Sequence, residues 1–210
     1  MSSVVLLSAS PAGNSKTEAL LEFIARRLSQ YGHRTEFIKL RHLPAGPLLA
    51  GDSSDSLIAS ARATIAAADA VVVGSPVFKA TYTGLLKVFV DLLPMDVLHG
   101  KPVLPVLTGG SVAHVLALDY GLKPLLATLG ASSIGRGRFV SSSNILPATD
   151  TTPPSIDESV ERDVIDAIDH FDSELTVRAR SCPHAEAVDA EPLDPETLIT
   201  APTATERKPS

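Results

Sequence analysis

The chain has little of what several classes of protein require. Cys182 is its only cysteine, which excludes an intrachain disulfide framework and any Cys-x-x-Cys metal or redox site, and is compatible with a reducing compartment. The formal net charge is −6, and no basic cluster marks a nucleic-acid surface. No positively charged secretion signal opens the sequence, and no apolar run approaches the ~18 residues that cross a bilayer. We therefore expect a cytoplasmic protein that binds neither nucleic acid nor membrane.

Familiar catalytic and nucleotide motifs are also absent from the sequence. It contains no Gly-x-x-x-x-Gly-Lys and no Gly-x-Gly-x-x-Gly, so it predicts neither a nucleoside-triphosphate loop nor a dinucleotide fingerprint. We find no Ser-His-Asp or Cys-His arrangement and no pair of histidines at metal-ligand spacing. We predict no metal site, and we assign no single acid, base or nucleophile.

What the sequence does contain is an alternation of apolar runs with helical patterns. The 210 residues, 44% of them hydrophobic, can bury one sizeable core. Strand-like runs occupy residues 4–7, 35–40, 70–74, 103–107 and 133–140. Between them Leu20, Ile24 and Leu28 repeat every four residues, as amphipathic helices do. We predict a flavodoxin-like α/β fold, a doubly wound five-stranded parallel sheet with helices on both faces.

The end of the chain has a different pattern. Residues 156–175 predict a last helix, with Ile156, Val160, Val164 and Ile168 at four-residue spacing. Prolines among acidic, Thr and Ala residues follow Ser181. We therefore predict one domain over residues 1–180 and a disordered tail over residues 181–210.

Residues 8–18, Ser-Ala-Ser-Pro-Ala-Gly-Asn-Ser-Lys-Thr-Glu, connect the first strand to the first helix. Glu18 stands three positions after Ser15, the spacing of a capping box, which predicts the start of the helix. Unpaired amides at that end favour an anion. The hydroxyls of Ser10, Ser15 and Thr17 and the charge of Lys16 could then bind a monophosphate. An ordinary polar turn with a helix cap is the alternative.

The loops after the third and fourth strands complete the candidate site, because ligands of such sheets bind outside the carboxyl ends of the strands. In residues 74–84, Phe78 or Tyr82 could cover a planar ligand, although Phe78 could equally belong to the core. Lys79 is either solvated or placed to stabilise negative charge. The Gly-Gly of residues 108–111 is either a plain turn or a source of free amides.

A helix of apolar character follows this Gly-Gly loop and is predicted to reach about Leu129. His114 lies near its start. On an apolar helix such a residue is either a hydrogen-bonded structural histidine or a ligand contact near the mouth of the site.

Two long motifs resemble a known family. They are Ser-Pro-Val-Phe-Lys-Ala-Thr-Tyr-Thr-Gly-Leu-Leu-Lys at 75–87 and Leu-Pro-Val-Leu-Thr-Gly-Gly-Ser-Val-Ala-His-Val-Leu-Ala-Leu-Asp-Tyr at 104–120. Over about residues 3–140 the chain resembles the NAD(P)H-dependent FMN reductases of two-component alkanesulfonate monooxygenase systems. It departs from their Gly-Ser-x-Arg pattern with Ala9 before Ser10 and with Ala12 where an arginine is common.

The resemblance implies the positions of the binding residues. The FMN phosphate would be bound by Ser10, Ser15, Lys16 and Thr17. The isoalloxazine ring would be flanked by Pro76, Val77, Phe78 and Lys79. Its pyrimidine edge would face Thr108, Gly109, Gly110 and Ser111.

The resemblance also implies the reaction and the assembly. NADPH or NADH would reduce FMN to FMNH2 for a partner flavin-dependent monooxygenase. Tyr120 matches a tyrosine that lies in a π-type bulge, at a subunit contact near the flavin, which implies a role in flavin release or in the interface of a homodimer or homotetramer. A quinone, azo or metal-ion reductase that keeps FMN bound is the alternative, and a flavodoxin-type electron carrier is a weaker one. The choice between NADPH and NADH stays open.

Overall fold

A computed structural model of the protein describes residues 1–149 and 151–181. The strands are β1 (Ser3–Ser8), β2 (Arg34–Lys39), β3 (Ala70–Pro76), β4 (Pro102–Gly109), β5 (Ser133–Ile134), β6 (Arg138–Ser141), β7 (Ile145–Leu146) and β8 (Ser155–Ile156). The α-helices are α1 (Lys16–Gln30), α2 (Ala45–Ala50), α3 (Ser56–Ala67), α4 (Gly84–Val90), α5 (Lys123–Ala127) and α6 (Glu158–Ser181). Helix α6 reaches the first residue of the predicted tail, and the rest of that tail lies outside the described residues.

The main sheet has the strand order β2-β1-β3-β4-β5, with every neighbouring pair parallel. This confirms the flavodoxin-like fold. The fifth position is divided, because β5 and β6 both pair with β4. The single strand predicted over 133–140 is therefore wrong. Gly137 separates the two pieces with a φ of +66°, and a Cβ there would lie 2.5 Å from the carbonyl oxygen of Pro105, so the backbone turns where only glycine fits.

Each face of the sheet is covered by helices, as predicted. Val4 and Leu6 point to one face and pack with residues of α1 and α6, whereas Val5 and Leu7 point to the other and pack with residues of α3 and α4. Strands buried on both faces read as continuous apolar runs, which is why the sequence shows them clearly. Within the described part of the chain, no helix combines the length and the apolar character needed to cross a membrane.

The long helix predicted after the Gly-Gly loop is wrong as a single α-helix. A 3₁₀ turn covers Val112–His114, a π-helical segment covers Leu118–Leu122, and α5 follows. Pro124 explains the irregularity at the π-helical segment. It has no amide hydrogen to donate to the carbonyl of Tyr120 four residues earlier, so a regular α-helical ladder cannot continue through this point.

Candidate functional site

The carboxyl ends of β1, β3 and β4 lie side by side at one edge of the sheet. Ser8 is in register with Gly74, and Pro76 with Thr108. The pairing continues beyond β3, where the Val77 amide donates to the Thr108 carbonyl at 2.7 Å. The three loops that sequence analysis singled out therefore meet, as expected from the strand order.

Ser15 caps helix α1, as the sequence predicts. Its backbone is extended, with a φ of −108°, and its Oγ accepts a hydrogen bond from the Glu18 amide. The other half of the predicted capping box is wrong, because the Glu18 carboxylate does not return to the Ser15 amide. It is buried and accepts a hydrogen bond from the Ser8 hydroxyl. The Lys39 ammonium lies 3.1 Å from its Oε2, and the Arg41 guanidinium contacts its Oε1. Two cations outcompete one backbone amide for a desolvated carboxylate.

The predicted phosphate ligands differ in how available their side chains are. Ser10 is buried, and its Oγ accepts from the Ala12 amide at 3.3 Å. The Lys16 ammonium donates to the Ile145 carbonyl at 2.6 Å, in the β7–β8 ribbon. The Thr17 hydroxyl is buried at 2.6 Å from the hydroxyl of Thr108. Lys16 and Thr17 thus lie at the site but already have protein partners.

Three consecutive backbone amides of the same loop are free. The amides of Gly13, Asn14 and Ser15 donate to no acceptor within the residues that the structure describes. They stand at the amino end of α1, where the first amides of any helix lack intrahelical partners and the helix dipole is positive. The loop therefore offers an anion a set of neutral donors.

The loop after β3 folds into a tight two-residue turn. Phe78 donates its amide to the Thr81 carbonyl at 2.9 Å and accepts the Thr81 amide at 3.3 Å. The central residues Lys79 and Ala80 have φ values of +51° and +68°, the left-handed conformation that glycine or asparagine normally supplies in such turns. Holding two other residues there costs about 1 kcal/mol or more each.

This turn presents Phe78 to solvent, with 52% of its surface exposed. The interpretation of Phe78 as a core residue is therefore wrong. Tyr82 is half-buried and packs against the core. An exposed aromatic ring on a strained turn, at the same edge of the sheet as the loop after β1, suits stacking against a planar ligand.

The two glycines after β4 are not equivalent. A Cβ on Gly109 would lie 3.0 Å from the Phe139 ring, whereas Gly110 has open space around it. Ser111 caps the following 3₁₀ turn, with its Oγ accepting from the Ala113 amide at 3.2 Å. Close packing thus explains Gly109, and the openness at Gly110 leaves the backbone accessible to a ligand edge.

His114 follows in the same turn. Its Nδ1 is buried and has no hydrogen-bond partner among the residues that the structure describes. The nitrogen lies 3.7 Å from the position of a Cβ on Gly109. The hydrogen bond expected of a structural histidine is therefore missing at this atom, and a buried polar atom without a partner is an unusual feature.

Tyr120 lies in the π-helical segment, as the resemblance implies. Its side chain is 81% exposed and borders a cavity of about 400 Å³, together with Thr81, His114 and Gly121. The cavity lies between the turn after β3 and the helical segment after β4. The role of Tyr120 in flavin release or in an interface stays a prediction.

No pattern in the sequence predicts the ion cluster of Glu18, Lys39 and Arg41. The one signal in the sequence is that Glu18, a carboxylate, stands in the first turn of α1 among residues of its buried face. Its partners lie on another strand and just beyond it, and no local pattern indicates that contact. Within the described residues, no group of three or more histidine, cysteine, aspartate or glutamate side chains could hold a metal ion.

The donor set suits FMN in three respects. Free amides at the start of α1 match a phosphate, an exposed aromatic ring matches a planar ring system, and accessible backbone at Gly110 matches a polar ring edge. These observations concern where the groups lie, and the individual ligand roles stay predictions.

Comparison with known proteins adds to this geometry. The sequence profile of the family described as NADPH-dependent FMN reductase matches residues 2–144, which include all three loops of the candidate site. The chain is 36% identical over 177 residues to the FMN reductase (NADPH) of Pseudomonas putida KT2440, covering 84% of this chain and 90% of that one. It is 37% identical over 143 residues to the NADH-dependent FMN reductase SfnF of Pseudomonas putida, covering 66% of this chain and 76% of the relative.

A solved structure agrees with these matches. The apo form of the NADH:FMN oxidoreductase EmoB superposes with a TM-score of 0.74 at 38% sequence identity, covering 84% of this chain and 90% of that one. The similarity therefore extends over most of both chains.

Proposed function

Because this chain belongs to the NADPH-dependent FMN reductase family and is an NAD(P)H:FMN oxidoreductase, we propose that it treats FMN as an exchanging substrate and supplies FMNH2 to a partner flavin-dependent monooxygenase. The observation that carries the proposal is the state of the phosphate loop. Its lysine, Lys16, directs its ammonium to the Ile145 carbonyl, whereas the amides of residues 13–15 have no acceptor among the described residues, so neutral amides make most of the phosphate contacts in this proposal. A dianion held mainly by neutral amides binds less tightly than one paired with a cation, which favours exchange.

In this proposal the loop after β1 binds the phosphate. The amides of residues 13–15 and the hydroxyls of Ser10 and Ser15 donate to its oxygens. Lys16 and Thr17, the first residues of α1, contribute their backbone amides while their side chains keep their partners within the protein. The site is thereby assembled from backbone that α1 and β1 hold rigidly in place.

The loops after β3 and β4 position the ring system. Pro76, Val77 and the exposed Phe78 line one side, and Lys79 adds a positive charge at the turn. The segment Thr108–Gly109–Gly110–Ser111 presents its backbone to the polar edge, where amides stabilise negative charge that develops during reduction. Reduced nicotinamide, when bound, supplies a hydride to the flavin, and water supplies the proton that completes FMNH2.

No acid, base or nucleophile of the protein is needed for this reaction. The protein holds two planar rings at contact distance and provides hydrogen-bond donors, which are positioning and electrostatic contributions. We place the reaction in the cytoplasm, where reduced nicotinamide is regenerated. Relatives are named for both NADPH and NADH, so either dinucleotide is a candidate donor.

The decisive experiment is an assay of nicotinamide oxidation by extensively dialysed protein. Turnover is measured with and without free FMN, and separately with a quinone as acceptor. We expect the dialysed protein to hold little flavin and its turnover to saturate with added FMN, and anaerobic filtration should recover FMNH2 in the filtrate. Protein that retains FMN through dialysis and prefers the quinone would instead be a flavin-bound quinone reductase.

A further inference from the structure

Three charged side chains meet immediately behind the phosphate loop. The Glu18 carboxylate, with 7% of its side chain exposed, lies against Lys39 and Arg41. The side chains of Lys39 and Arg41 are 29% and 18% exposed, so both are only partly buried. One carboxylate and two cations leave one positive charge in excess. We call these residues the charge triad.

The charge triad is attached to both ends of the phosphate loop. Ser8, the last residue of β1, donates its hydroxyl to Glu18 at 3.2 Å and is in register with Lys39. At the other end of the loop, the Ser15 Oγ accepts a hydrogen bond from the Glu18 amide. Because Ser8 and Ser15 each contact Glu18, only one residue would separate the triad from an anion bound between these two serines.

Between Ser8 and Ser15 the phosphate loop has no basic residue. The next residue, Lys16, is basic, but it directs its ammonium to the Ile145 carbonyl. A buried carboxylate near the start of α1 would repel a phosphate if it stood alone. The two cations cancel that repulsion and reverse the sign of the local field.

We propose that the charge triad sets the affinity for a phosphomonoester bound at the start of α1, with Arg41 and Lys39 as the specificity-determining cations and Glu18 as the residue that positions them. The inference rests on the proposed phosphate site. Two substrates carry such a group, FMN at its 5′-phosphate and NADPH at its 2′-phosphate. The position of the triad behind the loop after β1 favours FMN as the source.

The test compares ligands that differ only in the phosphate. Dissociation constants for FMN and for riboflavin are measured by flavin fluorescence in wild type, Arg41→Gln, Lys39→Gln and Glu18→Gln. Arg41→Gln and Lys39→Gln should each weaken FMN binding several-fold, because each removes one positive charge from the neighbourhood of a dianion, while riboflavin binding stays unchanged. Glu18→Gln should shift the FMN-to-riboflavin ratio in the opposite direction.

The opposite sign separates electrostatics from damage to the fold, because a structural defect would weaken both flavins in every variant. Arg34→Gln is the matched control, since it removes one charge from the exposed start of the same strand, at the amino ends of the strands and away from the phosphate loop. Raising the salt concentration should shrink the difference between FMN and riboflavin in wild type.

A second experiment measures KM for NADPH and for NADH in the same variants, with FMN held at saturation. A loss confined to the FMN-to-riboflavin ratio identifies FMN as the source of the phosphate, and a loss confined to the NADPH-to-NADH ratio identifies NADPH. If neither ratio moves while wild type still binds and reduces added FMN, the role of the triad is refuted and the proposed function is unaffected. If wild type shows no FMN binding or reduction at all, the proposed function itself fails.

Discussion

The hydroxyls of Thr17 and Thr108 form a buried contact of 2.6 Å between helix α1 and strand β4. Each residue is 1% exposed, so neither hydroxyl can turn to water if its partner is lost. The contact joins the helix that begins at the phosphate loop to the strand that leads into the Gly-Gly loop. A single hydrogen bond thus fixes the relation between two parts of the site.

Replacement of either threonine by valine preserves the side-chain shape and leaves the other hydroxyl unpaired. We expect Thr17→Val and Thr108→Val each to lower the free energy of unfolding by about 1–2 kcal/mol. The double variant should lose less than the sum, because it leaves no unpaired group. Urea unfolding of the four proteins measures this cycle.

The same variants test the ligand role of Thr17. If its hydroxyl leaves Thr108 to bind the FMN phosphate, Thr17→Val weakens FMN binding without affecting riboflavin, and Thr108→Val does not. Strict additivity of the two unfolding energies would show that the hydroxyls act independently, and would contradict a direct hydrogen bond between them.

At the scale of elements, the π-helical segment and the turn after β3 approach each other unusually closely. A Cβ on Gly121 would lie 2.7 Å from the Thr81 hydroxyl oxygen. Thr81 ends the turn that holds Lys79 and Ala80 at positive φ. The absence of a side chain at Gly121 therefore lets one element support the strained backbone of the other.

Gly121→Ala should push Thr81 away and disturb the turn that carries Phe78. We expect a destabilisation of about 1–3 kcal/mol, as for overpacking elsewhere, and several-fold weaker FMN binding by fluorescence titration. Adding Thr81→Ala removes the clashing oxygen and should restore most of the affinity.

Gly46→Ala is the matched control, since Gly46 lies in α2 and a Cβ added there would meet no atom within 4 Å. It should leave FMN binding unchanged. If Gly121→Ala binds FMN like wild type, or if removing the Thr81 side chain restores nothing, then the two elements are not coupled through this contact.

The elements that the sequence predicts well are those with local signals. Strands β1, β3 and β4 are continuous apolar runs, and α1 has both a cap at Ser15 and a buried face at Leu20 and Ile24. The gathering of three loops follows from strand order and needs no side-chain detail. These features alone locate the candidate site at the correct edge of the sheet.

The features that escaped prediction depend on contacts distant in sequence or on subtle backbone effects. Glu18 has the spacing of a capping box, but Lys39 and Arg41 bind its carboxylate from β2 and the turn that follows it. Lys16 has the charge expected of a phosphate ligand, but its ammonium donates to the carbonyl of Ile145, which lies far along the chain. The break between β5 and β6 depends on how closely Gly137 approaches Pro105.

At the scale of the whole molecule, an apolar patch lies on the surface beside the site. Val112, Leu116 and Tyr120 are all exposed large side chains. They belong to the helical segment after the Gly-Gly loop, beside the cavity that Thr81 and His114 border. An exposed apolar patch next to a site is typical of a protein contact.

We expect this patch to form the interface of a homodimer or homotetramer. Leu116→Glu places a charge at its centre, which an apolar interface cannot solvate, and should lower the molar mass measured by light scattering at a fixed concentration. Leu49→Glu is the control, because Leu49 is also exposed but lies on α2, and it should leave the mass unchanged. A monomeric wild type, or an unaltered mass for Leu116→Glu, would contradict the expectation.

Strand β2 forms one edge of the main sheet. An open edge can recruit a foreign strand and start aggregation, and charged side chains along it oppose this. Arg34, Glu36 and Lys39 are spaced along β2, and the first two are exposed, so any approaching strand must bury charge. At high concentration, we therefore expect that other chains do not add strands to β2 and that fibrils do not start at this edge.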